Sequence, residues 1–135
     1  MDPIANMLIA LKNASMARKP EARVPYAQLS HQIADVLQGE GYIATVSAEG
    51  IGSRKQLVIE LAYVQTGPAK SAKKPRINGV TRISKPSRRT YAGYRSVQPV
   101  RQGKGMVVVS TPQGLKTDTQ ARQEKLGGEV LFKIW

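Results

Sequence analysis

Residues 67–109 contain eleven Lys and Arg side chains and not one Asp or Glu. Residues 1–66 balance six bases against six acids, and residues 110–135 hold four bases and three acids. Almost all of the formal charge of +12 therefore comes from the middle of the chain. Composition and charge both change near residues 65–80, which marks a boundary between two subdomains there. Solubility alone asks for a modest charge of mixed sign. A concentrated field of one sign implies a polyanionic partner instead.

A chain of 135 residues fits one domain or two small subdomains packed together. Its 41% hydrophobic content suffices for a core, which must be aliphatic because Phe132 and Trp135 are the only Phe and Trp. The absence of cysteine excludes disulfides and thiolate metal sites, and His31 is the only histidine. No metal or other cofactor is expected. No apolar run approaches the roughly 20 residues needed to cross a bilayer. Asp2 and Pro3 open the chain without the basic segment of a secretory signal, so a soluble intracellular protein is expected. An organelle-encoded chain would read the same way.

Asp2 followed by Pro3 predicts an N-cap and first helical position, and Ile4, Met7, Leu8 and Leu11 supply an apolar stripe for a helix over 3–16. Pro20 and Pro25 make 18–25 a loop. Leu29, Ile33, Val36 and Leu37 predict a second helix, capped near Gln28 or Ser30 and stopped by Gly39 and Gly41. His31 lies beside that stripe, with no carboxylate at a useful spacing, and reads as a surface or packing histidine. Period-2 patterns over 42–47 and 57–64 predict two strands. Residues 67–76, punctuated by Gly67, Pro68 and Pro75, read as a mobile basic loop. A short strand follows through Val80 and Ile83, then minor elements near Val97 and Val100 and a turn at Gly103-Lys104-Gly105. Three consecutive valines make 106–111 the strongest strand. A polar turn over 110–114, a short helix capped by Thr117 and ended by Gly127 and Gly128, and a strand over 129–135 complete the chain.

The expected class is α+β. Residues 1–66 form the core of a helix-helix-strand-strand-strand unit, 67–79 connect, and 80–135 form a mostly-β unit with one short helix. The strand at 80–84 belongs either to the second unit or to the N-terminal sheet.

Catalysis lacks parts. There is no His-x-x-x-His pair, no Walker loop, and no base near Ser110 or Thr111. Nucleic-acid binding is well supplied. Arg88, Arg89 and Arg95 surround Tyr91 and Tyr94, and such a mixture can hold phosphates while rings stack on bases or sugars. Core packing is the competing role for the tyrosines, more so for Tyr91, whose ring could bury against the strands. Lys12, Arg82, Lys85 and Lys116 are further candidates for backbone or supporting contacts. Ser110, Thr111 and Gln113 offer short polar groups at the end of a rigid strand, suited to 2′-OH groups and base edges. Gly127, Gly128 and Glu129 can bring backbone N–H groups and one carboxylate against the same partner.

Several stretches together resemble the small-subunit ribosomal protein S8 family in its bacterial or organellar form. Asp2-Pro3-Ile4-Ala5-Asn6-Met7-Leu8 with Lys12-Asn13-Ala14 is similar to the family's first helix, and Glu40-Gly41-Tyr42-Ile43 to its second-helix-to-strand junction. Arg82-Ile83-Ser84-Lys85-Pro86 followed by Arg89, Tyr91 and Gly93 resembles the central motif. Val109-Ser110-Thr111, Gly114, Thr117-Asp118, Ala121-Arg122 and Gly127-Gly128-Glu129-Val130-Leu131 resemble the C-terminal signature. The chain departs from the pattern at Pro112, where a second serine is usual, at Thr119-Gln120, where an Arg-Glu pair is common, and at Ala10 and Lys12, often both Arg. Its connecting loop is unusually basic through Lys70, Lys73 and Lys74.

The resemblance implies a non-catalytic ribosomal protein that binds the central domain of 16S-type rRNA and helps assemble the platform. Ser110-Thr111 and Gly127-Gly128-Glu129 would read the RNA, with Tyr91 supporting or bordering that surface. The implied partners are the rRNA, neighbouring small-subunit proteins and, for members that regulate translation, their own mRNA; no membrane is implied. The implied location is a cytoplasmic or organellar ribosome. Two other readings stay open: a free RNA-binding regulator or RNA chaperone, and a basic module for protein or membrane surfaces.

Overall fold

Asp2 Oδ1 accepts from the backbone N–H groups of Ile4 and Ala5, at 3.0 and 3.3 Å, and Pro3 fills the first helical position. In this computed structural model, which describes residues 2–96 and 105–135, the first helix is α1 (Pro3–Met16). Beside Ala14 it buries Ile4, Met7, Leu8 and Leu11, the stripe that its spacing predicts. Each such aliphatic side chain gains about 1.5–3 kcal/mol on leaving water. The backbone breaks from the helix at Arg18, whose φ of 54° lies in the left-handed region. The architecture is α+β, in two compact units, Met1–Asn78 and Gly79–Trp135.

In the first unit, 18–25 is more than the expected loop. After the turn it forms β1 (Glu21–Pro25) between the two helices. Its pattern was hidden by the two prolines, but Ala22 and Val24 face inward while Glu21 and Arg23 face out. β1 is an edge strand, where Pro25 sits at the end and its missing N–H does no harm. α2 (Gln28–Gly39) follows, with Ala27 at its N-cap and no side-chain cap, so neither Gln28 nor Ser30 serves as one. Ser30 is instead buried within the helix. Gly41, at φ +83°, turns the chain into β2 (Ile43–Glu49), and β3 (Gln56–Leu61) takes the centre of the antiparallel sheet β1-β3-β2. Leu57 and Ile59 pair with Val24 and Ala22 on the buried face. On the other face Arg23 donates to Glu21 at 3.1 Å and to Glu49 at 2.9 Å, which holds its guanidinium more firmly protonated.

Two further expectations change here. His31 does have a carboxylate at hand, since its Nε2 lies 3.8 Å from Asp35 Oδ1 one helical turn away, and its Nδ1 is 3.3 Å from the Tyr26 hydroxyl. Residues 67–76 are not all loop, since they supply the turn and second strand of a hairpin: β4 (Tyr63–Gln65) pairs with β5 (Lys73–Pro75). The Thr66 N–H donates to Ala72 O at 2.7 Å, and the Gln65 amide donates across the turn to Gly67 O and Ala69 O, each at 2.6 Å.

The second unit is built around β10 (Gly128–Ile134), which pairs with β8 (Met106–Thr111), β6 (Val80–Arg82) and β7 (Tyr91–Ala92). The short strand at Val80 therefore belongs to this sheet and not to the N-terminal one. β8 also pairs with β9 (Gly114–Thr117), a strand that the polar composition of 110–114 concealed. Val107, Val109 and Val130 cluster with Ile83, Ala92 and Trp135. α3 (Asp118–Glu124) carries a reciprocal cap: Gln120 N–H donates to Thr117 Oγ1 at 3.2 Å, and Thr117 N–H to Gln120 Oε1 at 3.0 Å. It ends at left-handed Lys125, just before Gly127 and Gly128, as the sequence leads one to expect. The elements expected near Val97 and Val100, and Lys104 of the expected turn, lie outside the described residues.

Candidate nucleic-acid interface

Two strand registers meet at Glu129. Across β8 its partner is Ser110, and across β7 its partner is Tyr91. Residues directly opposite in an antiparallel sheet project to one face with Cβ atoms about 4.5–5.5 Å apart. Ser110, Glu129 and Tyr91 thus form a row across three strands. Tyr91 is 69% exposed, which overturns the expectation that its ring would bury against the strands. A two-residue edge strand has too little around it to cover a phenol ring.

The carboxylate in this row is held in place. The fully buried Ser84 hydroxyl donates to Glu129 Oε2 at 2.5 Å and accepts from the Thr90 N–H at 3.1 Å. Arg89 donates to the same carboxylate oxygen at 3.0 Å. Sequence reasoning did not single out Ser84. The only signal was its place in the Arg82-Ile83-Ser84-Lys85-Pro86 motif, where a serine looks like one more surface hydroxyl.

The basic residues differ in what they can still do. Lys85 and Arg88 exchange backbone hydrogen bonds of 3.1 and 3.0 Å in a tight turn, and both side chains are exposed. Arg82 is turned back onto the scaffold, with Nε donating to Ser84 O at 2.5 Å. Arg95 donates from Nε to the Tyr94 hydroxyl at 3.2 Å, and its guanidinium carbon lies 5.6 Å from that ring. Lys116 on β9 pairs with Glu124 of α3 at 3.4 Å. Lys12 is exposed on α1, in the first unit.

The turn after β8 is narrower in its offer than its composition suggests. Thr111 is buried, and its hydroxyl donates to Gly114 O at 2.7 Å while accepting from the Gln113 N–H at 3.2 Å. That hydroxyl shapes the turn. Pro112 and Gln113 are exposed at its tip, and the half-buried Ser110 remains the hydroxyl of the row. Gly127 and Gly128 also have a different reason to be glycine. A Cβ on Gly127 would stand 2.6 Å from Ala92 O, and one on Gly128 would run into the Ser110 carbonyl. The close approach they permit is between the protein's own strands, where an approach to a partner was expected.

Chemically, the site presents one oriented carboxylate, one hydroxyl and one exposed ring, flanked by the cations of Lys85, Arg88 and Arg89. The arrangement offers hydrogen-bonding groups and a ring face bordered by positive charge, and no described group in it is placed to activate a nucleophile.

Comparison with known proteins identifies the family. The family model for ribosomal protein S8 matches residues 2–135. The small ribosomal subunit protein uS8 of Persephonella marina is 42% identical over 137 residues, covering 99% of this chain and 98% of its own length. The same-named proteins of Rhizorhabdus wittichii and of Prochlorococcus marinus strain NATL2A are 40% and 43% identical, each covering at least 98% of this chain and 96% of its own length. With a family model spanning nearly every residue and relatives this similar from end to end, the chain belongs to the ribosomal protein S8 family.

Proposed function

We propose that this chain is a structural, non-catalytic component of the small ribosomal subunit, which binds the central domain of 16S-type rRNA and helps organise the platform. The observation that carries the reading is the row Ser110–Glu129–Tyr91, with its carboxylate fixed by Ser84 and Arg89. A carboxylate beside RNA is repelled by phosphate, so its value lies in accepting from base amino groups in an irregular helix or in orienting a neighbouring arginine. Ser110 donates or accepts at a 2′-OH or base edge in the accessible minor groove, and Tyr91 offers a face for stacking. Lys85, Arg88 and Arg89 supply phosphate contacts that add affinity without choosing a sequence. Neighbouring small-subunit proteins are its other partners.

The test is equilibrium binding of the full chain to a central-domain rRNA fragment and to random duplex RNA of equal length. Ser110→Ala is expected to weaken the first complex about tenfold, the loss of roughly one good hydrogen bond, and to leave the second within twofold. Equal losses on both RNAs would remove the row from the recognition role. A chain that fails to prefer the rRNA fragment at all would overturn the whole reading.

A further inference from the structure

β8 carries its valines in an unbroken run. Val107, Val108 and Val109 are 5%, 0% and 0% exposed, and Met106 before them is also buried. Val107 and Val109 pack with Val130, Ile83, Ala92 and Trp135, while Val108 lies between Phe132 on β10 and Thr117 on β9. Both faces of this strand are therefore apolar. A strand with one buried face resists slippage, because a shift of one residue turns its apolar set outward. β8 has no such safeguard, since the same shift exchanges valine for valine along the run. It would also carry Val109 into the place of Ser110 and turn the serine to the opposite face of the sheet.

Register then depends on polar groups near the ends of the strand. At its start the Val107 N–H donates to Asp118 Oδ1 at 3.2 Å. Every residue of the run has a backbone N–H, so this bond holds the hairpin without choosing its register. At its end the choice falls to a side chain. Thr111 pairs with Gly114 across the turn Pro112-Gln113. Its hydroxyl spans that turn, donating to the Gly114 carbonyl and accepting from the Gln113 N–H. A valine offers neither bond. Pro112 stiffens the turn, because its ring fixes φ at about −65° and it has no N–H to satisfy. The facing strand is itself anchored, since β9 runs straight into α3 with Thr117, Asp118 and Ala121 all buried.

We infer that Thr111 is the register lock of β8, a positioning residue that places Ser110, and not Val109, in the row with Glu129 and Tyr91. The lock acts inside the protein, since Thr111 is buried and its hydroxyl already donates and accepts within the turn. The inference rests on the RNA-reading role proposed for that row, and it adds the residue that decides which side chain stands there.

The experiment compares Thr111→Val and Thr111→Ser in the full chain. In the free protein, cross-strand nuclear Overhauser contacts report the register directly. The wild type should show Ser110 opposite Glu129 and Leu115 alone. Thr111→Val should add a second set with Val109 opposite Glu129, whereas Thr111→Ser, which keeps the hydroxyl, should show the wild-type set. A single wild-type set in Thr111→Val overturns the lock. Binding to the central-domain fragment and to random duplex RNA gives the second readout. Thr111→Val should lower the preference for the fragment about five- to tenfold, the worth of roughly one hydrogen bond. A residue that acts through Ser110 is coupled to it, so Ser110→Ala should add less than about twofold in the Thr111→Val background. Losses that multiply independently overturn the positioning role. If Thr111→Val slips while Ser110→Ala alone keeps full preference, the lock stands and the reading role of the row falls.

Discussion

Ser84 and Glu129 are 45 residues apart in sequence, yet the buried hydroxyl of one donates to the carboxylate of the other at 2.5 Å. The serine also accepts from the Thr90 N–H, so one small side chain couples the segment before β7 to the reading row on β10. Ser84→Ala should cost about 1–3 kcal/mol, since it leaves the partly buried Thr90 N–H without its partner. Chemical denaturation measures that loss. Binding should weaken on the cognate fragment more than on random RNA, because the carboxylate is no longer aimed. A variant with wild-type selectivity would show that Glu129 needs no such support.

Arg88 and Arg89 are adjacent but should respond differently. If Arg88 holds a phosphate as proposed, Arg88→Gln should lower the salt slope by about 0.7–0.9 with selectivity unchanged. Arg89→Gln also frees Glu129 from its ion pair, so both slope and selectivity should fall. Identical behaviour of the two variants would contradict the assigned roles. Salt-dependent binding on paired cognate and random RNAs is sufficient to decide.

Gly128 and Gly93 provide a matched steric pair. A methyl group at Gly128 meets the β8 backbone, which cannot yield without breaking the β8–β10 ladder, whereas one at Gly93 meets nothing within 4 Å. Gly128→Ala should cost about 3 kcal/mol or more. Gly93→Ala should stay within about 0.5 kcal/mol of wild type. Thermal melts of the two variants test the contrast, and equal stabilities would place the space at Gly128 elsewhere.

Tyr63 gives the first unit an alkaline limit. Burial raises its phenol pKa above the ordinary 10.0, against a smaller lowering by Arg18. The folded chain therefore holds this proton more tightly than the unfolded chain does. The associated stability is complete below pH 10 and is lost as pH rises through the raised value. Tyr63→Phe should remove that part of the alkaline loss, as followed by denaturant midpoints at several pH values. A variant with the wild-type alkaline profile would assign the loss to other groups.

The helical stripes of α1 and α2 and the valine run of β8 were legible because a buried face leaves a period in the sequence. β1 was not, since its two prolines look like breakers until the strand is known to lie at a sheet edge. β9 was hidden by a turn-like composition, and the β4–β5 hairpin by a charge run resembling linker. In the candidate interface, Ser110, Glu129 and Arg89 could be named in advance. Ser84 could not, because its importance comes from burial against a residue from the far end of the chain. For the same reason the exposure of Tyr91 and the internal engagement of Thr111 depend on neighbours that spacing alone does not supply.

β10 pairs with three of the other four strands of its sheet, β6, β7 and β8. It is also the last of these strands to be synthesised. A nascent chain therefore exposes its block of cations well before the Ser110–Glu129–Tyr91 row exists. The row is assembled only when β10 is released and pairs with β7 and β8. Until then the growing protein is a polycation without that row, and a premature stop just before residue 128 would leave it one permanently.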